Sequence, residues 1–214
     1  MTEWNAIALV VEPPISVANA LLEEGRRLAE RVAEASRRIA WTRPHRFAAP
    51  VAQFDLGPVA DLSPPDVRLS HWMEAANRVL ESIASRCEET PVTLEPVSLV
   101  EFTPESAAIV SRLAAAPGTD LSALFRAVAQ DLADSEFVAT PPEQVFVTLG
   151  SLEDLTMRDR VRQALEGQTT PVSGWTLGGL CLARGVARPP VGLVEAERVR
   201  FVPFRKGGPR RGES

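Results

Sequence analysis

The strongest constraint in this chain is its punctuation: apolar runs of strand length, each stopped by proline or glycine, alternate with amphipathic stretches of helical period. The run Ala6-Ile7-Ala8-Leu9-Val10-Val11 is closed by Glu12-Pro13-Pro14. Its length and β-branched content predict a buried strand. Proline then opens a helix, with Ile15, Ala18, Leu22, Leu28, Ala29 and Val32 as its expected apolar stripe. Further strands are expected at Arg38–Trp41 and from Ala49 to Leu56, where Gly57-Pro58 stops the run. A loop at Ser63-Pro64-Pro65 leads into a second helix, with Trp72, Ala75, Val79, Leu80 and Ile83 on its apolar face.

The second half repeats the theme. Val92–Leu94, Val97–Phe102 and Ala107–Leu113 read as strands, and Leu121, Leu124, Phe125, Val128 and Leu132 recur with helical spacing. Val145–Leu149 reads as a strand ended by Gly150. Thr156 with Asp159 reads as a capping box, and Gly167 ends the helix it opens. The last strands are expected at Trp175–Ala183 and Val194–Phe204, with Gly174 and Gly178-Gly179 marking a bend or bulge. Two comparable sets without strict βαβ repetition predict an α+β, bilobal fold. Two antiparallel or mixed sheets should face a central groove, with helices on the outside. A single bilobal domain of two interleaved lobes is expected over residues 1–205, followed by a disordered basic tail at 206–214.

Composition narrows the function classes. The chain has 214 residues, 45% hydrophobic and 24% charged, which is ordinary globular usage. No apolar run approaches the roughly 20 residues of a membrane span. The N-terminal residues Met1-Thr2-Glu3-Trp4 have no basic signal-peptide region. Cys87 and Cys181 are too few for a disulfide framework and read as buried apolar groups, so a cytoplasmic setting is expected. No metal-ligand spacing, phosphate-binding glycine loop or Gly-x-Ser-x-Gly nucleophile is present; no metal and no cofactor are expected. A net charge of −5 removes the drive for non-specific nucleic-acid binding, while leaving room for a locally basic cleft.

Several landmarks fall in a familiar order. Ala6-Ile7-Ala8-Leu9 precedes a proline-started helix; Trp41-Thr42-Arg43-Pro44 precedes a strand closed by Phe54-Asp55-Leu56-Gly57. Later come Phe102-Thr103-Pro104, Ala107-Ala108-Ile109-Val110 and Phe146-Val147-Thr148-Leu149-Gly150. This order resembles the 2H phosphoesterase superfamily, which includes the 2'-5' RNA ligases and cyclic phosphodiesterases, over about residues 4 to 204. The resemblance implies a pseudo-symmetric bilobal fold with a His-x-Thr/Ser motif in each lobe. The two histidines would act as acid and base on a 2',3'-cyclic phosphate or a 2'-5' linkage, the hydroxyls would hold phosphate oxygens, and no metal is needed.

The chain departs from that pattern at the chemistry. Its second motif reads Phe146-Val147-Thr148, and the most natural register puts Pro50-Val51-Ala52 at the first. Only two histidines exist, His45 and His71, and neither lies near the second motif. The four degenerate positions are therefore Pro50, Ala52, Phe146 and Thr148, of which Thr148 alone keeps its type. Ligand-binding candidates are Thr148, Arg43, Arg46, His45 and Gln53. Guanidinium groups bind phosphate without a tuned pKa, and Gln53 shares a strand face with Asp55. Phe54 and Phe146 each either pack in the core or stack a base. The expected function is a catalytically degenerate 2'-5' RNA ligase-like or cyclic phosphodiesterase-like protein that binds a nucleotide, an RNA end or a protein partner in the groove. An active phosphoesterase built on His45, Arg46 and Thr148, and an interaction module with a closed groove, are the alternatives. No membrane partner is expected.

Overall fold

The computed structural model describes residues 6–54, 65–134, 144–152, 154–188 and 191–206. Asp55, the strand stop at Gly57, the loop before Pro65 and the tail from Gly207 lie outside them, as does the side chain of His71.

All strand pairs are antiparallel and build two sheets. In sheet A the order is β10 (Gly192–Pro203), β9 (Gly179–Arg188), β1 (Ala6–Val11) and β3 (Ala49–Phe54). Sheet B runs β2 (Ile39–Trp41), β7 (Phe146–Leu152), β6 (Ser106–Ala115), β4 (Thr90–Leu94) and β8 (Ser173–Leu177), and β5 (Ser98–Thr103) also pairs with β6. The lobes interleave: β2 leaves the first half to join sheet B, while the C-terminal strands β9 and β10 return to β1. This is the α+β arrangement of two sheets that the sequence predicts.

Each sheet carries two helices on its outer face. Helices α2 (Pro65–Arg86) and α3 (Ser122–Ala133) cover sheet A, packing on β1, β9 and β3; α1 (Ile15–Val32) and α4 (Arg158–Leu165) cover sheet B, against β7, β8 and β5. The outward residues Ile7, Leu9 and Val11 of β1 join Leu21, Leu80, Ile109, Val128 and Leu149 in one continuous apolar cluster. The apolar faces read for α2 and α3 are the buried ones.

Three local expectations need correction. The buried stripe of α1 begins with Val17 and Leu21, not Ile15 and Leu22. Ile15 sits directly after Pro14, before the helix has closed on the sheet, and is 81% exposed. The capping box at Thr156 does not form. Asp154 accepts from the Thr156 N–H at 2.9 Å and from its hydroxyl at 2.7 Å instead, and α4 begins at Arg158. These bonds hold the Asp154 carboxyl below the usual carboxylate range. The run Trp175–Ala183 is not one strand: it divides at Gly178, so that β8 belongs to sheet B and β9 to sheet A. The expected bend at Gly178-Gly179 is the joint between sheets. A Cβ on Gly179 would lie 2.5 Å from the Val202 carbonyl and 2.6 Å from Cζ of Phe201, so only glycine fits there. Gly167, at φ +77°, ends α4 as expected.

Candidate functional site

Away from the helices, the inner face of sheet A is a floor of small side chains. Alternation along β1 turns Ala6, Ala8 and Val10 inward, and these join Cys181, Ala183 and Ala196 in a second buried cluster. Register extends the rows across the sheet. Pro50, Val10, Cys181 and Phe201 form one row; Gln53, Ala8, Ala183 and Arg198 form the next. Small residues keep this floor low, and the larger polar and aromatic groups stand at its two edges.

Two of the register shifts in sheet A decide which of these larger side chains reach that face. In β3 the pairing moves from Pro50↔Val10 to Ala52↔Leu9, leaving Val51 as the extra residue. Ala52 therefore turns into the outer core, and Gln53 takes the inward position. In β10 the second of two extra residues is Val199, between Arg198↔Ala183 and Arg200↔Leu182. Arg198 and Phe201 thus share the inner face, while Arg200 points outward to Asn77 and Glu81 on α2.

Sheet B presents β7 to this face. Val147, Leu149 and Leu152 belong to the outer core, whereas Thr148 and Phe146 stand opposite Val110 and Arg112 on the other side. Thr148 is only 7% exposed, and Val110 is fully buried. Phe146 is half-buried and outside the core cluster; Phe54, 1% exposed, is inside it. Beyond β2, the Thr42 hydroxyl donates to the Val194 carbonyl of β10 at 3.2 Å and ties sheet B to sheet A.

The segment between β2 and β3 carries Arg43, His45 and Arg46. Its short 3₁₀ turn, Pro44–Arg46, is closed by the Arg46 N–H donating to the Arg43 carbonyl at 2.8 Å, and it packs against β10. Arg43 and His45 are exposed and Arg46 is half-buried. His45 and Arg46 line a cavity of about 920 Å³ at the joint between the sheets. Trp175 of β8 and Arg198 and Phe201 of β10 line it too, with Glu12 and Cys181. Arg198 donates to Glu12 at 3.1 Å. Burial, with the Glu12 carboxylate alongside, pushes the Cys181 thiol up to about 12, so it stays protonated and is no nucleophile. Cys87 is also free and buried.

The structure therefore gathers His45 and Arg46 in one cavity and puts Gln53 on the same inner face of sheet A. Thr148 sits apart on the facing strand. Glu12, Arg198, Trp175 and Phe201 are site residues that sequence reasoning missed. Glu12 was within reach, since it continues the inward period of Ala6, Ala8 and Val10. Arg198 and Phe201 were not, because period-two reading pairs Arg198 with Arg200. No group of His, Cys, Asp and Glu capable of holding a metal ion occurs among the described residues.

Two sheets with outer helices, interleaved so that the last strands return to the first, match solved structures along nearly their whole length. TT0787 of Thermus thermophilus superposes with a TM-score of 0.60 at 14% identity, covering 95% of this chain and 100% of that one. The E. coli LigT structure complexed with 3'-AMP gives a TM-score of 0.53 at 13% identity, covering 94% and 99%. This chain has the 2H phosphoesterase fold. Usb1 of Kluyveromyces marxianus shares the 2H architecture too, with a TM-score of 0.51 at 14% identity, covering 94% and 99%. No protein-family model matches the sequence, and no curated protein matches it. Pro50 lies on β3 and Phe146 on β7 of this fold. Neither side chain can carry a proton.

Proposed function

We propose that this chain is a non-catalytic binding protein on the 2H frame, taking a nucleotide or the phosphorylated end of an RNA in the cavity between its sheets. The observation that carries this reading is the pair Pro50 and Phe146. In-line displacement on a cyclic phosphate needs an acid and a base on opposite sides, and each removed partner commonly costs on the order of 10²–10⁴ in rate. Binding needs no such pair. A cavity of about 920 Å³ is the size of small-ligand sites, and Arg46 and His45 give it donors for phosphate oxygens. Two solved LigT structures hold NADP+ and 3'-AMP on the same fold. Two free, buried cysteines fit a reducing, cytoplasmic setting, and no described helix is long and apolar enough to cross a membrane.

Calorimetric titration with 3'-AMP tests the reading. Saturable binding that weakens in Arg46→Ala is expected. Absence of binding by the folded wild-type protein overturns it in favour of an interaction module, for which the burial of Thr148 and Val110 is the supporting observation.

A further inference from the structure

Phe201 lies on an edge strand with 49% of its surface exposed, one of three large apolar residues so exposed among the described residues. Its ring lies against Gly179, in space that a side chain there would fill: a Cβ would sit 2.6 Å from Cζ and 2.7 Å from Cε2. The ring is therefore packed on one side and open on the other. Trp175 of β8 lines the same cavity, half-buried, with part of its ring packed on the main core cluster beside Val92. The cavity thus has one aromatic ring from each sheet, with Pro13, Pro14 and Pro44 extending the apolar wall. Its polar groups are the Glu12–Arg198 pair, in the row next to Phe201, and the His45–Arg46 turn.

We propose that Trp175 and Phe201 form the base-binding half of the site, stacking the nucleobase of a nucleotide whose phosphate goes to Arg46 and His45. This rests on the binding reading above and assigns the two ends of the ligand. Stacking on aromatic faces favours any base, since every base has a π-face. A site of this kind therefore tolerates base identity and discriminates against ligands that lack a base. A ligand spanning it also bridges the sheets, touching β8 on one side and β10 on the other.

The experiment measures affinity for 3'-AMP and for ribose 5-phosphate, a phosphate ester with no base, in wild type, Phe201→Ala and Trp175→Phe. Phe201 is exposed, so its truncation leaves the core intact, and circular dichroism checks the fold. Phe201→Ala is expected to weaken 3'-AMP about 5–100-fold and to leave ribose 5-phosphate unchanged. Quenching of tryptophan fluorescence by 3'-AMP should vanish in Trp175→Phe while binding persists. If 3'-AMP binds wild type and Phe201→Ala equally, the base assignment is overturned and the binding reading stands. If 3'-AMP does not bind wild type, the binding reading fails and takes this assignment with it.

Discussion

The two strands that would carry the motifs, β3 and β7, each contain a bulge, but at different places. In β7 the extra residue is Leu149, just past the triplet, so Phe146 and Thr148 still share the inner face. In β3 it is Val51, inside the triplet, so Pro50 faces inward and Ala52 faces the core. The triplet on β7 thus keeps both outer residues on one face, whereas the triplet on β3 splits them between two. Proline is tolerated at position 50 because β3 is an edge strand, where a missing N–H breaks no ladder. One-residue shifts in pairing thus decide what a substitution could restore: histidine at 146 would stand beside Thr148, whereas threonine at 52 would enter the core.

The widest contrast is between the two phenylalanines. Phe54→Ala empties a core position and should cost about 3–5 kcal/mol, or roughly 6–20 °C in Tm at this chain length. Phe146→Ala should cost no more than about 1 kcal/mol. Equal losses in thermal melts would mean that β7 does not turn its motif face away from the core. Next comes Ala52→Thr, which buries a hydroxyl among apolar neighbours and should cost about 1–3 kcal/mol. A neutral result would place residue 52 on the inner face, with no bulge at Val51.

The floor of sheet A supplies a pH test. Cys181 is held as the thiol when folded, and the unfolded chain gives up that proton from about pH 8.5. Its stabilising effect is complete below that pH and is lost as pH rises toward the folded value of about 12. Relative to Cys181→Ala, urea unfolding of wild type should lose up to about 1.4 kcal/mol per pH unit above 9. Parallel pH curves would contradict the burial. The smallest effect is expected for Thr148→Val, within about 0.5 kcal/mol, because the shape is kept and the hydroxyl faces the seam between sheets rather than the outer core.

What the sequence made legible follows from period. Continuous apolar runs and 3.6-residue stripes marked the elements, and the order of landmarks marked the frame. Phe54 and Phe146 looked alike from sequence, and only the structure separates them, one in the core and one outside it. The bulges were invisible, since an inserted residue leaves composition unchanged while reversing every face after it. That is why Gln53, read from its alternation with Asp55, reaches the inner face through a shifted register, and why Arg198 and Phe201 were missed. The break at Gly178 was anticipated as a bend, but two adjacent glycines do not reveal that the strand changes sheets.

Phosphorus NMR of wild-type protein with 2',3'-cyclic AMP tests whether this 2H frame binds without paired proton transfer. No conversion above the protein-free control is predicted, with 3'-AMP still bound. Protein-dependent opening of the cyclic phosphate that is lost in Thr148→Ala would contradict the proposed non-catalytic role.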